Sequence, residues 1–149
     1  MVSFLLQLHN FMVPLVLVAG GATLLAGIAY FFVHRSTVAA PAGTAEAAPS
    51  ANGTLNLVQR VFRILLAVTA GLGVLQAIIG GLLVTQGCSP RDALHYVYGI
   101  IVLAAIPVAY VYSDQKQVRR DIIIMTIAAV AIVGAAFRAL ATGPGGICH

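Results

Sequence analysis

Charge is what this chain has least of. Asp, Glu, Lys and Arg make up 8% of its 149 residues and 60% are hydrophobic, whereas a soluble domain carries roughly 25% charged residues. Acids are scarcer still. Glu46, Asp92, Asp114 and Asp121 are the whole set, and all four fall at or beyond the ends of long apolar runs, so no buried carboxylate is expected for a proton relay or for acid–base work. There is no phosphate-binding loop, zinc motif or nucleophile elbow, and no CxxC or CxxCH for a metal or a covalently attached cofactor. Independent catalytic activity is not expected. No Lys or Arg precedes Arg35, so the start lacks the basic region of a cleaved signal peptide and the first apolar run is expected to be retained.

What remains is four apolar runs, 11–33, 64–84, 93–112 and 122–141, in a chain of mean hydropathy +1.00. Each is near or above the roughly 20 helical residues that cross about 30 Å of hydrocarbon. The expected fold is all-α: an integral membrane four-helix up-down bundle forming a single domain, with spans of about 8–33, 60–85, 92–112 and 120–141. Residues 35–55, rich in Ala, Pro, Gly, Ser and Thr, are expected to be a flexible cytoplasmic loop. The short segment 86–91 makes the second and third helices antiparallel neighbours, with Ser89 or Asp92 available as a cap and Pro90 in the first turn. Residues 113–120 join the third helix to the fourth in the same way.

The eight basic residues set the topology. Arg35, Arg60, Arg63, Lys116, Arg119 and Arg120 flank one side, Arg91 and Arg138 the other. Under the positive-inside rule both termini and the Cys88 loop face outward. The charge is spread over helix ends rather than gathered in a patch, so nucleic acid is not an expected partner; the bilayer is.

Polar groups inside such spans are costly unless they meet a partner, cavity or ligand. Four of them, His9, Gln76, His95 and Arg138, fall on the outer side. His9 and His95 enter the first and third helices at similar shallow depth, and Gln76 lies about 12 Å below the end of the second. Neutral imidazoles on two helices of one bundle suit the two axial positions of a haem; Met12 is an alternative axial ligand. Arg138 continues the face of Ala131 and Ala135, where it would either snorkel to the interface or hold a carboxylate such as a porphyrin propionate. His34 suits a helix C-terminus, and it and His149 are expected to be structural or solvent-exposed.

Small residues recur at helical spacing: Gly20, Thr23 and Gly27; Gly73, Ala77 and Gly81; Ala128, Ala131 and Ala135. Such stripes let helices pack closely, or leave room for a flat cofactor. Cys88 and Cys148 both fall on the outer side. They would be two free thiols or, as expected on an oxidising side, a disulfide worth about 4 kcal/mol in the chain-entropy model that pins the glycine-rich tail 143–146 over that end.

The segment Leu75-Gln76-Ala77-Ile78-Ile79-Gly80-Gly81-Leu82-Leu83-Val84, followed past Gly87 by Ala93-Leu94-His95, resembles the helix pair of the haem A synthase family. There a Gln-containing helix ending in a glycine pair leads to a helix with a haem-ligand histidine. The whole chain, with Leu8-His9 opening the first helix and a histidine entering the third, also resembles small four-helix cytochrome-b-like bacterial membrane proteins. That resemblance implies haem b near the outer face, held by His9 and His95, in a bacterial plasma membrane. Two departures limit it. The spans lack the carboxylate and further histidines of haem A synthase, so oxidation of a haem side chain is not implied, and Tyr110 stands where some cytochrome-b-like relatives carry a deeper histidine.

The resulting expectation is a haem b electron-transfer protein, with Gln76 hydrogen-bonding in the pocket and Arg138 near a propionate, exchanging electrons with a quinone or with other membrane subunits of a redox complex. The competing expectation is a non-catalytic accessory subunit of a respiratory or photosynthetic complex, binding lipid, quinone or pigment. Transport ranks third, because discontinuous helices and midplane polar sites are not evident.

Overall fold

The computed structural model describes residues 1–38, 48–112, 118–143 and 147–148. Four helices carry the fold: α1 (Val2–Val38), α2 (Ala48–Thr85), α3 (Leu94–Tyr112) and α4 (Val118–Thr142). Each contains a segment long and apolar enough to cross a membrane: Val2–Arg35, Gly53–Thr85, Leu94–Tyr112 and Arg119–Thr142. The all-α expectation holds, with one small addition. A two-residue strand, β1 (Cys88–Ser89), pairs antiparallel with β2 (Ile147–Cys148) at the end of the bundle where α2 stops and α3 starts.

The helices overrun their expected limits. α1 begins at Val2 rather than near residue 8 and continues to Val38, while α2 starts at Ala48. The described parts of the expected 35–55 loop are therefore helical, and 39–47 lie outside the described residues. Alanine is the best helix former, and Pro49 falls in the first turn, where its missing N–H costs nothing. Composition had argued only that this stretch could not pack a core, which does not stop it from extending a helix that packs further along.

The four helices form a ring in which α1 lies between α2 and α4. The α1–α2, α3–α4 and α1–α4 seams are extensive; α2 and α3, although joined by a short turn, touch only sparsely. That turn is tight because Gly87 takes a φ of 79°, a region that only glycine enters without cost. Asp92 then caps α3, its Oδ1 accepting from the Leu94 amide at 2.9 Å.

Packing differs between the two ends. At the end holding the 113–117 connection, Tyr30, Phe62, Ala109, Ile122, Met125 and Ala128 bring all four helices into one cluster. Midway, Thr23 and Thr69 are fully buried, their hydroxyls 2.9 Å apart, each also near the carbonyl four residues back. At the β1–β2 end the cluster of Met12, Ile79, Leu83 and Cys88 draws only on α1, α2 and the turn. Here α3 and α4 stand away from the first two helices, and a cavity separates them.

The small-residue stripes divide along the same line. Gly20, Thr23 and Gly27 are buried in the helix seams; a Cβ on Gly20 would come within 2.9 Å of Val133 Cγ2. Ala128 and Ala135 are buried in the core, whereas Ala131 is exposed. Gly73, Ala77 and Gly81 all line the cavity; a Cβ on Gly73 would come within 3.2 Å of Val102 Cγ1 on α3, whereas one on Gly81 would meet nothing within 4 Å, so one stripe serves both close packing and open space.

Candidate cofactor site

The cavity at the β1–β2 end has a volume of about 500 Å³, within the range of sites that take small molecules or cofactors. It takes more of its lining from α2 and α3 than from the other two helices, and reaches from Cys88 and Cys148 at its mouth to Val16 and Val102 at its floor. Val16 is seven residues beyond His9 along α1 and Val102 seven beyond His95 along α3, so the space continues about 10 Å inward from the histidines.

His9 and His95 face one another across it, with ring centroids 6.1 Å apart and ring planes inclined at 55°. The helices alone explain the meeting. Both start at the same end of the bundle, and each histidine sits near the start of its own helix. α4 fixes the His95 ring: Nδ1 is 3.2 Å from the Ala139 carbonyl. A carbonyl only accepts, so Nδ1 carries the proton and donates, leaving the Nε2 lone pair of the neutral ring without a hydrogen bond among the described residues.

Gln76 fixes His9. Its Nε2 donates to the His9 carbonyl at 3.1 Å and lies 3.3 Å from His9 Nε2. That carbonyl is next to the one on Asn10 that Pro14 leaves without a helical donor, since proline has no N–H and its ring crowds the oxygen four residues back. The carbonyl contact orients the amide, because the reverse orientation would set two acceptors together. Two buried atoms are left without partners, His9 Nδ1 and Gln76 Oε1. In a ring whose Nε2 accepts, Nδ1 is a donor; Oε1 is an acceptor. Neighbouring side chains thus hold an unmet donor and an unmet acceptor.

Glycines set both rings. A Cβ on Gly80 would stand 3.3 Å from His9 Cε1, and one on Gly143 would stand 3.0 Å from His95 Cε1 and 3.1 Å from its Nδ1. By contrast, Cβ atoms on Gly81 and Gly99 would meet nothing within 4 Å, although both residues line the cavity. The first pair gives each imidazole a backbone to lie against; the second keeps open the space the rings look into.

Cys88 and Cys148 form a disulfide at the cavity mouth. The bond holds β2 beside β1, in the register Cys88 to Cys148 and Ser89 to Ile147. The glycines at 144–146 fall outside the described residues, as does His149.

Other expected residues lie elsewhere. Met12 is buried in the α1–α2 cluster and does not line the cavity. His34 stacks on Tyr30 at the far end of α1, with centroids 5.8 Å apart. Arg138 does not point with the buried alanines: it is exposed, its guanidinium 5.9 Å from the centroid of Tyr98. Three residues on from Ala135 it is about 60° off that face, and its long stem carries the charge outward along an aromatic surface. Sequence reasoning overlooked the Ala139 carbonyl, Pro14 and the ring-cradling role of Gly80 and Gly143. The glycine pair and the proline five residues after His9 were visible; the carbonyl has no sequence signature.

Among the described residues no group of three or more His, Cys, Asp or Glu could hold a metal ion. The cavity offers two imidazoles, which suits a metal that brings its remaining ligands with it. No family model, curated protein or solved structure matches the chain.

Proposed function

We propose that the protein spans a bacterial plasma membrane with both termini outside and binds one haem b between His9 and His95 as an electron-transfer protein or subunit. The separation of the two imidazoles carries this reading. Their ring centroids are 6.1 Å apart, close enough that the two imidazoles would hold one haem iron between them. A porphyrin also supplies four equatorial nitrogens, so two protein ligands suffice.

The surrounding groups fit this use. Metal-bound histidines usually donate their second N–H to a carbonyl or similar acceptor, which fixes the tautomer and makes the ligating nitrogen more basic. His95 already does so to Ala139. Ligation through His9 Nε2 would replace its 3.3 Å contact with Gln76, whose amide would stay on the His9 carbonyl. Gly81 and Gly99, beside which a Cβ would meet nothing within 4 Å, leave room for a flat macrocycle. The bound haem would supply a one-electron iron couple whose potential the two histidines and this burial tune. Arg138, exposed over Tyr98, serves as an anchor at the membrane surface. The exchange partner would be a quinone or another subunit of a redox complex, for which α3, with Ala109 as its single buried residue, leaves a long apolar face.

An absorption spectrum of the detergent-purified protein before and after dithionite tests the reading. A Soret band with α and β bands that sharpen on reduction, lost in both His9→Ala and His95→Ala while helical circular dichroism persists, is the expected result. A stable preparation that stays colourless even after incubation with haemin refutes it.

A further inference from the structure

A second concavity lies at the opposite end of the bundle, in the groove between α1 and α4. It holds about 280 Å³ and is walled by apolar groups, Ile28 and Phe31 on one side and Ile123 and Ile127 on the other, with Gly27 and Thr126 at its base. Gly27 makes the groove possible, since its bare Cα lets α1 approach Thr126 closely. From Arg119 to Ile127 the groove follows α4 for about 12 Å, most of the roughly 15 Å depth of one leaflet's hydrocarbon.

Its rim carries a cation. Arg119 lines the groove at the point where the apolar part of α4 begins. Its guanidinium lies 5.9 Å from the centroid of Phe31, and among the described residues it has no carboxylate partner. Asp121, two residues on, is about 200° round the helix and is not in the lining. Arg35 and Arg120 are exposed at the same end, so the field there is positive. An apolar slot running inward from a guanidinium with no carboxylate partner among the described residues complements a molecule with a hydrocarbon chain and an anionic head.

We infer that the α1–α4 groove is a specific site for an anionic phospholipid, one acyl chain lying along Ile123 and Ile127 and the phosphate on Arg119. The inference rests on reading the four helices as membrane spans and is independent of the haem, which would lie at the other end.

The probe is palmitoyl-oleoyl phosphatidylglycerol, titrated into detergent-purified full-length protein and followed by native mass spectrometry, with the phosphatidylcholine of the same chains as comparison. Wild-type protein binds one phosphatidylglycerol in preference to phosphatidylcholine. Arg119→Gln weakens phosphatidylglycerol binding about fivefold, the effect of one cation at an anionic surface, and leaves phosphatidylcholine unchanged. Ile127→Trp, at a position already 63% exposed, fills the slot and weakens both. Equal binding of the two lipids by the wild type, retention of the preference in Arg119→Gln, or equally tight binding of soluble glycerophosphoglycerol each overturns the inference. Failure of the membrane reading is separate: the protein would then stay in aqueous solution without detergent.

Discussion

Replacing Gly80 by alanine separates the cofactor reading from a merely structural one, because it affects ligand binding and leaves folding nearly unchanged. Gly80 lies within α2, where alanine is favoured over glycine by up to about 1 kcal/mol, a gain the displaced His9 ring offsets, so the apoprotein should stay close to wild type in stability. The new methyl, however, would stand 3.3 Å from His9 Cε1 and 3.8 Å from Nδ1, whereas carbon atoms prefer about 3.5–4.0 Å. The His9 ring must give way by a few tenths of an ångström. It is held on its other side by Gln76, so the movement is a twist away from its preferred rotamer, which costs about 0.5–1.5 kcal/mol. If that ring is an axial ligand, the cost falls on the bound state, and haem affinity drops about two- to tenfold. Gly71→Ala is the control: the same helix and the same gain in propensity, with nothing within 4 Å of the new methyl and no place in the cavity wall. Haemin titration followed at the Soret band, with thermal melts of the apoproteins by circular dichroism, reads both quantities. Gly80→Ala binding haem as tightly as wild type, or Gly71→Ala losing affinity in parallel, refutes the reasoning.

Two other perturbations test the frame. Removing the disulfide by Cys88→Ser with Cys148→Ser frees a closure spanning 60 residues; the chain-entropy model allows a loss of up to about 4 kcal/mol, and helices still held in a membrane or micelle keep it below that. Thermal melts with and without reductant should show a lowered midpoint for reduced wild type and no response to reductant in the double variant. Gly27→Ala places a methyl against Thr126 Oγ1 and within 3.1 Å of Phe62 Cε2, an overpacking that should cost about 1–3 kcal/mol; adding Thr126→Ala should restore most of the lost melting temperature.

How much could be read beforehand follows from what each signal reports. Hydropathy reports burial in lipid or core, so the four long apolar helices were legible, but it is silent about where a helix begins, as α2 does at Ala48. Depth counted from helix ends brought His9 and His95 to one level, because rise per residue is fixed; it set Gln76 deeper, whereas α1, by starting at Val2, carries His9 seven residues in and within reach of the Gln76 amide. Arg138 lies about 20° round the helix from Ala131, and since Ala131 proves exposed while Ala135 is buried, the same counting sends Arg138 outward over Tyr98 once the buried face of α4 is known. The stripes of small residues were ambiguous for a physical reason: glycine permits either contact or emptiness, and only the partner helix decides. Gly27 met Thr126, whereas Gly81 met nothing. The disulfide was legible in outline, since helix counting put both cysteines at the same end of the bundle, where they bond.

The sparse contact between α2 and α3 gives the ring of helices a side door. On the proposed membrane reading that gap would face acyl chains, so a flat hydrophobic molecule could slide in edgewise while the other three seams stay zipped, with the short turn at Gly87 joining the two doorposts at their top. Loading from the membrane, without unfolding and without passage through water, would then be built into the order in which the helices touch.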